Sequence, residues 1–347
     1  MRHKDSIISN DLGSVLREPV KSVSVGIRPS GNLHIGNLVT MTLAGLAAAK
    51  ANAEVHLTIC DIDMPNPKPG EKRTSAMYFK YQKVGDTTRS ELAASQVHEY
   101  TSALANQLGI PVRIDFLSDI QKAANYRQGL SQLLEKREDL VEMFTGMRNP
   151  RDLAVPVYPV CGSCNHTPIE RALNIAKETL KTRCRNSECD KYNQTRAVNL
   201  FNPEEELGVH YYIDPIRDVM FKPRADLHVF GGDYLKLHGN MSKVEKVCKI
   251  TELTGEQPPN YLLGPLLVGP GREKISKSEG SRLTLQQLSS AYKGQLPQRI
   301  TAFTEEALKS GRACIPHEEV MEYFKTAYSR QNHPPSGDSS ELSPVSS

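Results

Sequence analysis

The stretch Ser22-Val-Ser-Val-Gly-Ile27, followed by Pro29-Ser-Gly-Asn-Leu-His-Ile-Gly-Asn37, decides the fold. In its first part, the apolar residues Val23, Val25 and Ile27 alternate with serine or glycine, and Pro29-Ser-Gly follows shortly after. This pattern indicates a short strand that ends in a turn. From Ile35 to about Ala51 the chain is rich in Leu, Ala and Met and has no proline, which favours a helix. Val55-His-Leu-Thr-Ile-Cys60 then indicates a second strand. This order predicts a βαβ unit of a parallel sheet, in which ligands bind at the turn after the first strand.

The alternation of helical and strand patterns continues along the chain. Gly109 is a typical helix end signal, and a window rich in cysteine separates the third predicted strand from the fourth. We therefore expect an α/β fold whose parallel sheet is interrupted by an insertion of about ninety residues. Helical patterns cover 88–108, 120–147 and 242–254, and strand patterns cover 112–116 and 228–230.

Other segments lack an extended helical or strand periodicity. Residues 64–85 are rich in Pro, Lys and Gly, which predicts a mobile, basic loop. Short helices are expected from Leu283 onward. The Pro/Ser/Gly-rich stretch 333–347 has no core-forming residues, which predicts a disordered tail.

The composition is that of a soluble globular protein. The 347 residues include 43 Lys+Arg and 40 Asp+Glu, for a net charge of +3, and this near-balance excludes a wholly basic nucleic-acid coat. Nothing approaches the roughly 18 consecutive apolar residues of a membrane span, and the first residues lack the apolar segment of a signal peptide. We expect a cytoplasmic protein with no membrane partner.

The seven cysteines divide into one cluster and three single residues. Cys60, Cys248 and Cys314 stand alone, which is typical of core or surface positions. The other four form two pairs with the spacing of a zinc ribbon, and His166 is an alternative ligand beside them. Four thiolates complete a tetrahedral shell with no open position, which predicts a structural rather than a catalytic zinc. The predicted ligands are Cys161, Cys164, Cys184 and Cys189.

Two segments carry residues suited to phosphate. The turn from Pro29 to Asn37 precedes a helix, whose N-terminal N–H groups and dipole favour an anion, and Gly31, His34 and Gly36 lie within it. By itself such a turn is more often an ordinary βα turn with a polar residue that caps the helix. The segment 273–281 carries two lysines in a loop rich in Ser and Gly, which could close over a polyphosphate. By itself it is also typical of a solvated surface loop.

Together, the two segments resemble the paired His-x-Gly-His and Lys-Met-Ser-Lys-Ser signatures of class I aminoacyl-tRNA synthetases. Gly26 to Asn37, the cysteine window and Asp61-Ile-Asp63 are most similar to class I lysyl-tRNA synthetase. The resemblance covers about residues 22–282. It implies a Rossmann-like parallel sheet split by an insertion that contains a zinc ribbon, with a short C-terminal helical segment.

The resemblance assigns roles to individual residues. His34 and Asn37 fall on the two polar positions of the first signature and are implied to contact the ATP phosphates during catalysis. Lys274 and Lys277 fall on the lysines of the second signature, with Ile275 in place of methionine. The residues implied to bind ATP are Gly31, Gly36, Gly231, Gly232, Asp233, Ser276 and Ser278.

The amino acid is expected at the carboxyl end of the second strand. There Asp61 and Asp63 could hold an α-ammonium group and a cationic side chain, although both are equally suited to capping a loop. Tyr211-Tyr-Ile-Asp214 resembles the tryptophan-containing substrate segment of the lysyl branch, in a chain that has no tryptophan. Tyr212 and Asp214 are therefore expected to line the pocket.

The implied reaction is attack of an amino-acid carboxylate on the α-phosphorus of ATP. It yields an aminoacyl-adenylate and pyrophosphate, with Mg²⁺ bridging the phosphates and Zn²⁺ as a structural ion. The likeliest acceptor under this resemblance is the tRNA acceptor stem. Three cationic residues of the insertion could contact the phosphates of the acceptor stem, namely Lys181, Arg183 and Arg185. Such a run of charges is more often simply exposed to solvent.

We expect the catalytic core to stand without the anticodon-binding domain that class I synthetases generally carry, because few residues follow Arg282 in this sequence. We therefore also consider transfer to a carrier protein, a small molecule or a modified base, a non-catalytic RNA-binding paralogue, and a nucleotidyltransferase. The two halves of the catalytic domain are expected at 1–120 and 210–282. The insertion is expected between them at 121–209, with its zinc ribbon at about 158–193. The short helical segment is expected at 283–332 and the tail at 333–347.

Overall fold

The structure is a computed structural model, and the description covers most of the chain. The described residues are 2–3, 6–65, 70–136, 139, 154–155, 157–169, 172–176, 178–209, 225–231, 237–238, 241–242, 245, 248–249, 251, 259–268 and 283–332.

The third helix of the chain begins and ends at residues that cap it. Thr88 Oγ1 accepts from the N–H of Glu91 at the start of the third helix, and Gly109 ends it with a φ of 66° that glycine adopts without strain. The described helices are α1 (Leu12–Val15), α2 (Ile35–Ala51), α3 (Arg89–Leu108), α4 (Leu117–Ile120), α5 (Ala124–Glu135), α6 (Leu285–Tyr292), α7 (Leu296–Lys309) and α8 (His317–Asn332).

The strands follow the predicted pattern in the two halves of the sheet. The described strands are β1 (Arg2–His3), β2 (Ser6–Ser9), β3 (Ser22–Ile27), β4 (Glu54–Ile59), β5 (Ser75–Met77), β6 (Lys83–Val84), β7 (Thr87–Thr88), β8 (Val112–Phe116), β9 (Ala154–Val155), β10 (Val157–Pro159), β11 (His166–Pro168), β12 (Ala172–Ala176), β13 (Thr179–Arg183), β14 (Thr195–Asn199), β15 (Leu207–Val209), β16 (Leu227–Gly231), β17 (Leu237–His238), β18 (Met241–Ser242), β19 (Asn260–Gly264), β20 (Leu266–Val268) and β21 (Cys314–Pro316).

The central sheet of the described chain has seven strands in the order β1-β2-β19-β16-β3-β4-β8. All neighbours are parallel except β1 and β2. The chain runs from β3 outward through β4 to β8, and it returns on the other side of β3 at β16. The strand order therefore reverses beside β3, and ligands of such sheets bind at the carboxyl ends of the strands at this switch point.

Both faces of the sheet are covered. One face packs with α2, α3 and the C-terminal helices α6 to α8 in a single core. The other packs against α5 and the insertion strands, with Tyr126, Leu180 and Val198 in contact with a cluster that includes Phe230 and Tyr261 of the sheet. The insertion thus completes the layered arrangement of an α/β domain.

The insertion contains a four-stranded sheet in the order β14-β13-β12-β9, and β10 pairs separately with β15. The predicted helix 120–147 is described as α5 only up to Glu135. Of the predicted helix 242–254, Ser242 belongs to β18, and most of the remainder lies outside the described residues. The predicted tail 333–347 lies outside them as well.

The prediction of a mobile loop over 64–85 is wrong for the described part of that segment. Residues 75–77 form β5, which pairs with β11 of the insertion in the antiparallel register Met77 to His166. Tyr78 and Phe79 are each only 1% exposed. Strands of two or three residues are too short to show a period in the sequence, and the partner strand that stabilises this one is distant along the chain.

Within the described ranges, no helix combines the length and the apolar character that a membrane span requires.

Candidate functional site

The turn between β3 and α2 places His34 at the start of the helix. His34 has an extended backbone and is the N-cap residue. Its Nδ1 accepts a hydrogen bond from the N–H of Gly36 at 3.1 Å, and Asn37 Oδ1 accepts one from the N–H of His34 at 3.3 Å. Because an amide nitrogen only donates, the neutral His34 ring carries its proton on Nε2. His34 therefore caps the helix with one ring nitrogen, and the other ring nitrogen carries the N–H.

Gly36 lies close to the His34 ring, so a side chain at this position would require the ring to shift by a few tenths of an ångström. A Cβ at position 36 would lie 3.0 Å from His34 Cε1 and 3.2 Å from Nδ1. The ring therefore packs directly on the first turn of α2. The helix dipole at this N-terminus favours an anion, and Gly31 lies in the same half-exposed turn.

A second segment of the chain is fixed to this turn. The N–H of Ile35 donates to the carbonyl of Leu283 at 2.9 Å, and the N–H of Leu285 donates to the carbonyl of Leu33 at 2.8 Å. His34 and Thr284 thus form an antiparallel bridge. Thr284 is the N-cap residue of α6. The residues that follow the predicted lysine loop are therefore bound to the predicted phosphate turn.

Asp61 is buried just beyond β4. Its side chain is 1% exposed, its Oδ1 accepts from the N–H of Ser118 at 2.9 Å, and its carbonyl accepts from the N–H of Lys80 at 2.9 Å. Burial raises the pKa of the Asp61 carboxyl above its ordinary value, while the hydrogen bonds from Ser118 and the charge of Lys80 oppose that rise. Asp61 thus anchors the Ser118 backbone at the edge of the sheet.

Asp63 pairs with the arginine that precedes the phosphate turn. Asp63 Oδ2 lies 3.3 Å from Arg28 Nε, and the Arg28 guanidinium lies over the ring of Phe79, 5.6 Å from its centroid. The Asp63 carbonyl accepts from the N–H of Phe79 at 3.1 Å. One cation and one carboxylate therefore stand together where β3 and β4 end. The sequence interpretation missed Arg28, although it lies between the predicted strand and the turn that follows it.

The structure describes only part of the predicted ATP site. Gly231 ends β16, directly beside β3 in the sheet, and is the register partner of Gly264. Gly231 therefore lies at the carboxyl edge of the sheet. The other predicted residues of this side of the site lie outside the described residues: Tyr212, Asp214, Gly232, Asp233, Lys274, Ser276, Lys277 and Ser278.

The four clustered cysteines come together in space. Their Sγ atoms all lie within 4.8 Å of one another, with 4.0 Å between Cys161 and Cys189 and 3.7 Å between Cys164 and Cys184. Zn–S bonds of about 2.3 Å in a tetrahedron set the sulfur atoms about 3.8 Å apart. The cluster therefore has the size of a four-thiolate metal site. His166 is not one of its members, and its Nδ1 lies 2.9 Å from the carbonyl oxygen of Cys164.

The edge of the sheet is tied to the cysteine-containing insertion by long-range polar contacts. Lys80 Nζ and Tyr81 Oη both donate to the carboxylate of Glu206. Tyr78 Oη donates to the carbonyl of Tyr158 at 2.7 Å. Sequence reasoning missed these residues, because Lys80 and Glu206 are 126 positions apart and neither has a local signal.

A comparison with protein families identifies the family to which this chain belongs. The family model described as "tRNA synthetases class I (K)" matches residues 5–307, which include the His34 turn, the cysteine cluster and the lysine segment. The chain belongs to the class I tRNA synthetases. The split parallel sheet with its His34 turn at the switch point agrees with this assignment.

Two further comparisons place this class I synthetase among known proteins. It is 24% identical over 299 residues to a glutamyl-Q tRNA(Asp) synthetase of Pseudomonas putida, with 82% of this chain and 88% of the relative covered. It also aligns with the crystal structure of tyrosyl-tRNA synthetase with L-tyrosine from Archaeoglobus fulgidus, over 91% of each chain, at 14% identity and a TM-score of 0.39.

Proposed function

We propose that this synthetase activates an amino acid with ATP to an aminoacyl-adenylate and transfers it to tRNA. The observation that carries the proposal is the His34 turn, which presents a helix N-terminus and an imidazole N–H at the switch point of a class I synthetase sheet. A cytoplasmic location agrees with this role.

On the ATP side, the chain supplies donors and positive charge. His34 Nε2–H and the amide nitrogen of Asn37 donate to phosphoryl oxygens, and Gly31 and Gly36 let the phosphates approach the backbone. Gly231, Gly232 and Asp233 hold the ribose, and Lys274 and Lys277 with their neighbouring serines stabilise the charge that builds up on the phosphates. Mg²⁺ bound to the phosphates supplies further charge neutralisation.

On the amino-acid side, the proposed contacts lie past β4. Asp61 and Asp63 face the α-ammonium group or a cationic side chain, with Tyr212 and Asp214 lining the rest of the pocket. Lysine is the first candidate because the family designation carries the letter K. Glutamate is the second because the Pseudomonas putida relative is named for a glutamyl group, and the cation of the Arg28–Asp63 pair could receive a carboxylate.

For the acceptor, the likeness to a glutamyl-Q tRNA(Asp) synthetase favours a second candidate beside the tRNA terminus, namely another position on the tRNA such as a modified base. In both cases the first half-reaction is the same. The two candidates differ only in the nucleophile that attacks the adenylate.

The deciding experiment is amino-acid-dependent exchange of labelled pyrophosphate into ATP, with each of the twenty amino acids, without and then with total tRNA. One positive amino acid supports the proposal and fixes the specificity. No exchange under either condition would contradict it. Transfer of the labelled amino acid to tRNA is then compared before and after periodate oxidation, which destroys the terminal ribose diol. Labelling that survives oxidation places the acceptor elsewhere on the tRNA.

We also propose that the cysteine cluster holds one structural Zn²⁺. The sulfur distances fit a tetrahedral shell. Four protein ligands leave no position for substrate, so the metal serves to fold the insertion.

A further inference from the structure

Residues 78–82, which we call the bridging segment, lie between the edge of the central sheet and the insertion. On the sheet side, the segment is held by its backbone. The N–H of Phe79 donates to the carbonyl of Asp63 at 3.1 Å, and the N–H of Lys80 donates to the carbonyl of Asp61 at 2.9 Å. The bridging segment therefore fixes the course of the chain just beyond β4, where the two aspartates lie.

On the insertion side, the same segment is held by its side chains. Tyr78 at its start donates to the carbonyl of Tyr158 at 2.7 Å. Lys80 Nζ and Tyr81 Oη, farther along, both donate to the carboxylate of Glu206. The side chain of Glu206 is only 13% exposed and that of Lys80 29%, so this charged pair is better shielded from water than an ordinary surface pair. Burial and the hydrogen bond to Glu206 raise the pKa of Tyr81, which stays a neutral donor.

Glu206 itself is held firmly in the insertion. Its carbonyl accepts from the N–H of Val160 at 3.1 Å. The next residue, Leu207, is fully buried at the start of β15, and its N–H donates to Oε1 of the buried Gln121 at 3.1 Å. The backbone is therefore fixed on both sides of the Glu206 side chain, and its carboxylate is a firm anchor for the bridging segment.

The preceding carboxylate makes a pair of the same kind with a different partner. Glu205 binds Arg196 Nη1 through both oxygens, at 2.7 Å and 2.9 Å, and its carbonyl accepts from Arg127 Nη2. Both arginines belong to the insertion. Of two successive carboxylates, Glu205 thus connects parts of the insertion to one another, whereas Glu206 connects the insertion to the edge of the sheet.

We propose that Glu206 is a positioning residue for the amino-acid site. Its carboxylate holds the side chains of Lys80 and Tyr81, and the backbone of the bridging segment in turn holds Asp61 and Asp63. Glu206 acts through these residues and not on the substrate. This inference rests on the proposed function, in which the two aspartates receive the amino acid.

The proposal separates the two substrates. The phosphate turn at His34 is held by another part of the chain, through the backbone hydrogen bonds of Ile35 with Leu283 and of Leu285 with Leu33. Loss of the Glu206 contact is therefore expected to affect binding of the amino acid and not binding of ATP.

The first test measures hydrogen exchange by NMR in the full-length protein and does not depend on activity. Glu206→Gln keeps the size of the side chain and removes its charge. The N–H groups of Phe79 and Lys80 are expected to exchange about tenfold faster, as for the loss of one charge-assisted hydrogen bond. Glu205→Gln is the matched control, since it removes the same charge from the neighbouring pair, and these two N–H groups are expected to keep their parental rates. Parental rates in Glu206→Gln, or an equal acceleration in both variants, overturn the proposal.

The second test measures pyrophosphate exchange with the amino acid that the parent activates. Glu206→Gln is expected to raise the KM for the amino acid by about tenfold, because a small misplacement of binding groups is costly, while kcat and the KM for ATP stay close to the parental values. Denaturant unfolding is expected to show a similar loss of stability in Glu205→Gln, whose KM for the amino acid is expected to be parental. A purely structural role would not separate the two variants in this way.

Reversal of the charged pair tests whether the contact itself matters. Lys80→Glu and Glu206→Lys each place two like charges together and are each expected to raise the KM for the amino acid. The double variant restores an ion pair and is expected to recover most of that loss. An unchanged KM in Glu206→Gln, or a double variant no better than the single ones, overturns the positioning role. No exchange in the parent counts against the proposed function, and the hydrogen-exchange result still decides the role of Glu206.

Discussion

His34 and Thr284 are bridged through their backbones, with the flanking hydrogen bonds at 2.8 Å and 2.9 Å. Each of the two residues is also the N-cap of a helix, α2 and α6 respectively. The bridge therefore connects two helix starts rather than two flexible loops. Lys277 precedes Thr284 by seven residues, so the chain leaves the lysine loop at a point that is fixed to the phosphate turn.

Replacing His34 separates its role as a cap from its proposed role in catalysis. Asn is a good N-cap residue, so His34→Asn is expected to keep the free energy of unfolding close to that of the parent, whereas His34→Ala is expected to lower it by about 1 kcal/mol. Both variants lose the Nε2–H donor and are expected to slow pyrophosphate exchange by about a hundredfold or more. Denaturant unfolding and the exchange rate are measured on both proteins. A normal exchange rate in His34→Asn would limit His34 to capping.

Replacing Lys277 tests the lysine loop, which the family match includes. Lys277→Ala is expected to slow exchange by about a hundredfold, on the scale of one lost transition-state donor, with no change in unfolding. Lys309→Ala, at the exposed end of α7, removes the same charge elsewhere and is the control. If both variants exchange at the parental rate, the loop has no part in adenylation.

The sequence could predict the β3–turn–α2 unit because its signals are local. The strand 22–27 and the helix 35–51 have the predicted bounds, and His34 lies at the helix start as expected. Thr88 and Gly109 likewise act as caps through neighbours within a few residues. Caps and periodicity depend only on such neighbours, so they are visible in one sequence.

The contacts that join the sheet edge to the insertion could not be predicted in the same way. The β5–β11 pairing, the contact of Tyr78 with Tyr158 and the contact of Lys80 with Glu206 all depend on which distant segments meet. Nothing within a few residues of Lys80 indicates a carboxylate partner. The cysteine cluster is the exception, since its spacing alone predicted that four distant thiols would converge, and their Sγ atoms do so.

Gly208 is expected to tolerate no side chain. A Cβ there would lie 1.8 Å from Tyr78 Oη and 2.4 Å from Tyr78 Cζ, and Tyr78 is buried, so the ring has no space into which it can move. Gly208→Ala is expected to lower the free energy of unfolding by about 1–3 kcal/mol through overpacking. Gly162→Ala is the control, since its Cβ would meet nothing within 4 Å. Equal unfolding midpoints for the two variants would show that the insertion can shift at this contact and accommodate a methyl group.

Removing the metal is expected to unfold part of the insertion and leave the central sheet folded. Binding energy at a four-thiolate site is also folding energy for the segment around it. Elemental analysis is expected to find one zinc per chain in the parent and in Cys314→Ser, whose exposed cysteine lies outside the cluster, and less in Cys164→Ser. Hydrogen exchange after chelation is expected to accelerate at β13 and β14 but not at β3 and β4. Absence of zinc from the purified parent would contradict the assignment.

Asp61 is expected to make the stability of the protein depend on pH. Because burial raises the pKa of its carboxyl in the folded state, the folded protein holds this proton more tightly than the unfolded chain. Stability from this group is therefore full below the ordinary pKa of 3.8 and is lost as pH rises through the higher folded value. Asp61→Asn keeps an oxygen that can accept from the Ser118 N–H and does not ionise, so its stability relative to the parent is expected to increase across that window.

Denaturant unfolding at a series of pH values measures this difference directly. Asp61→Ala is the matched comparison. Neither variant ionises at this position, but Asp61→Ala also lacks the acceptor of the Ser118 N–H, so it is expected to be less stable than Asp61→Asn by about 1–3 kcal/mol at every pH. A parallel stability profile for the parent and Asp61→Asn would show that the carboxyl has no such effect.

In pyrophosphate exchange, both variants are expected to raise the KM for the amino acid if Asp61 receives its ammonium group. An unchanged KM in Asp61→Asn, with altered stability, would restrict Asp61 to anchoring the backbone of Ser118 at the edge of the sheet.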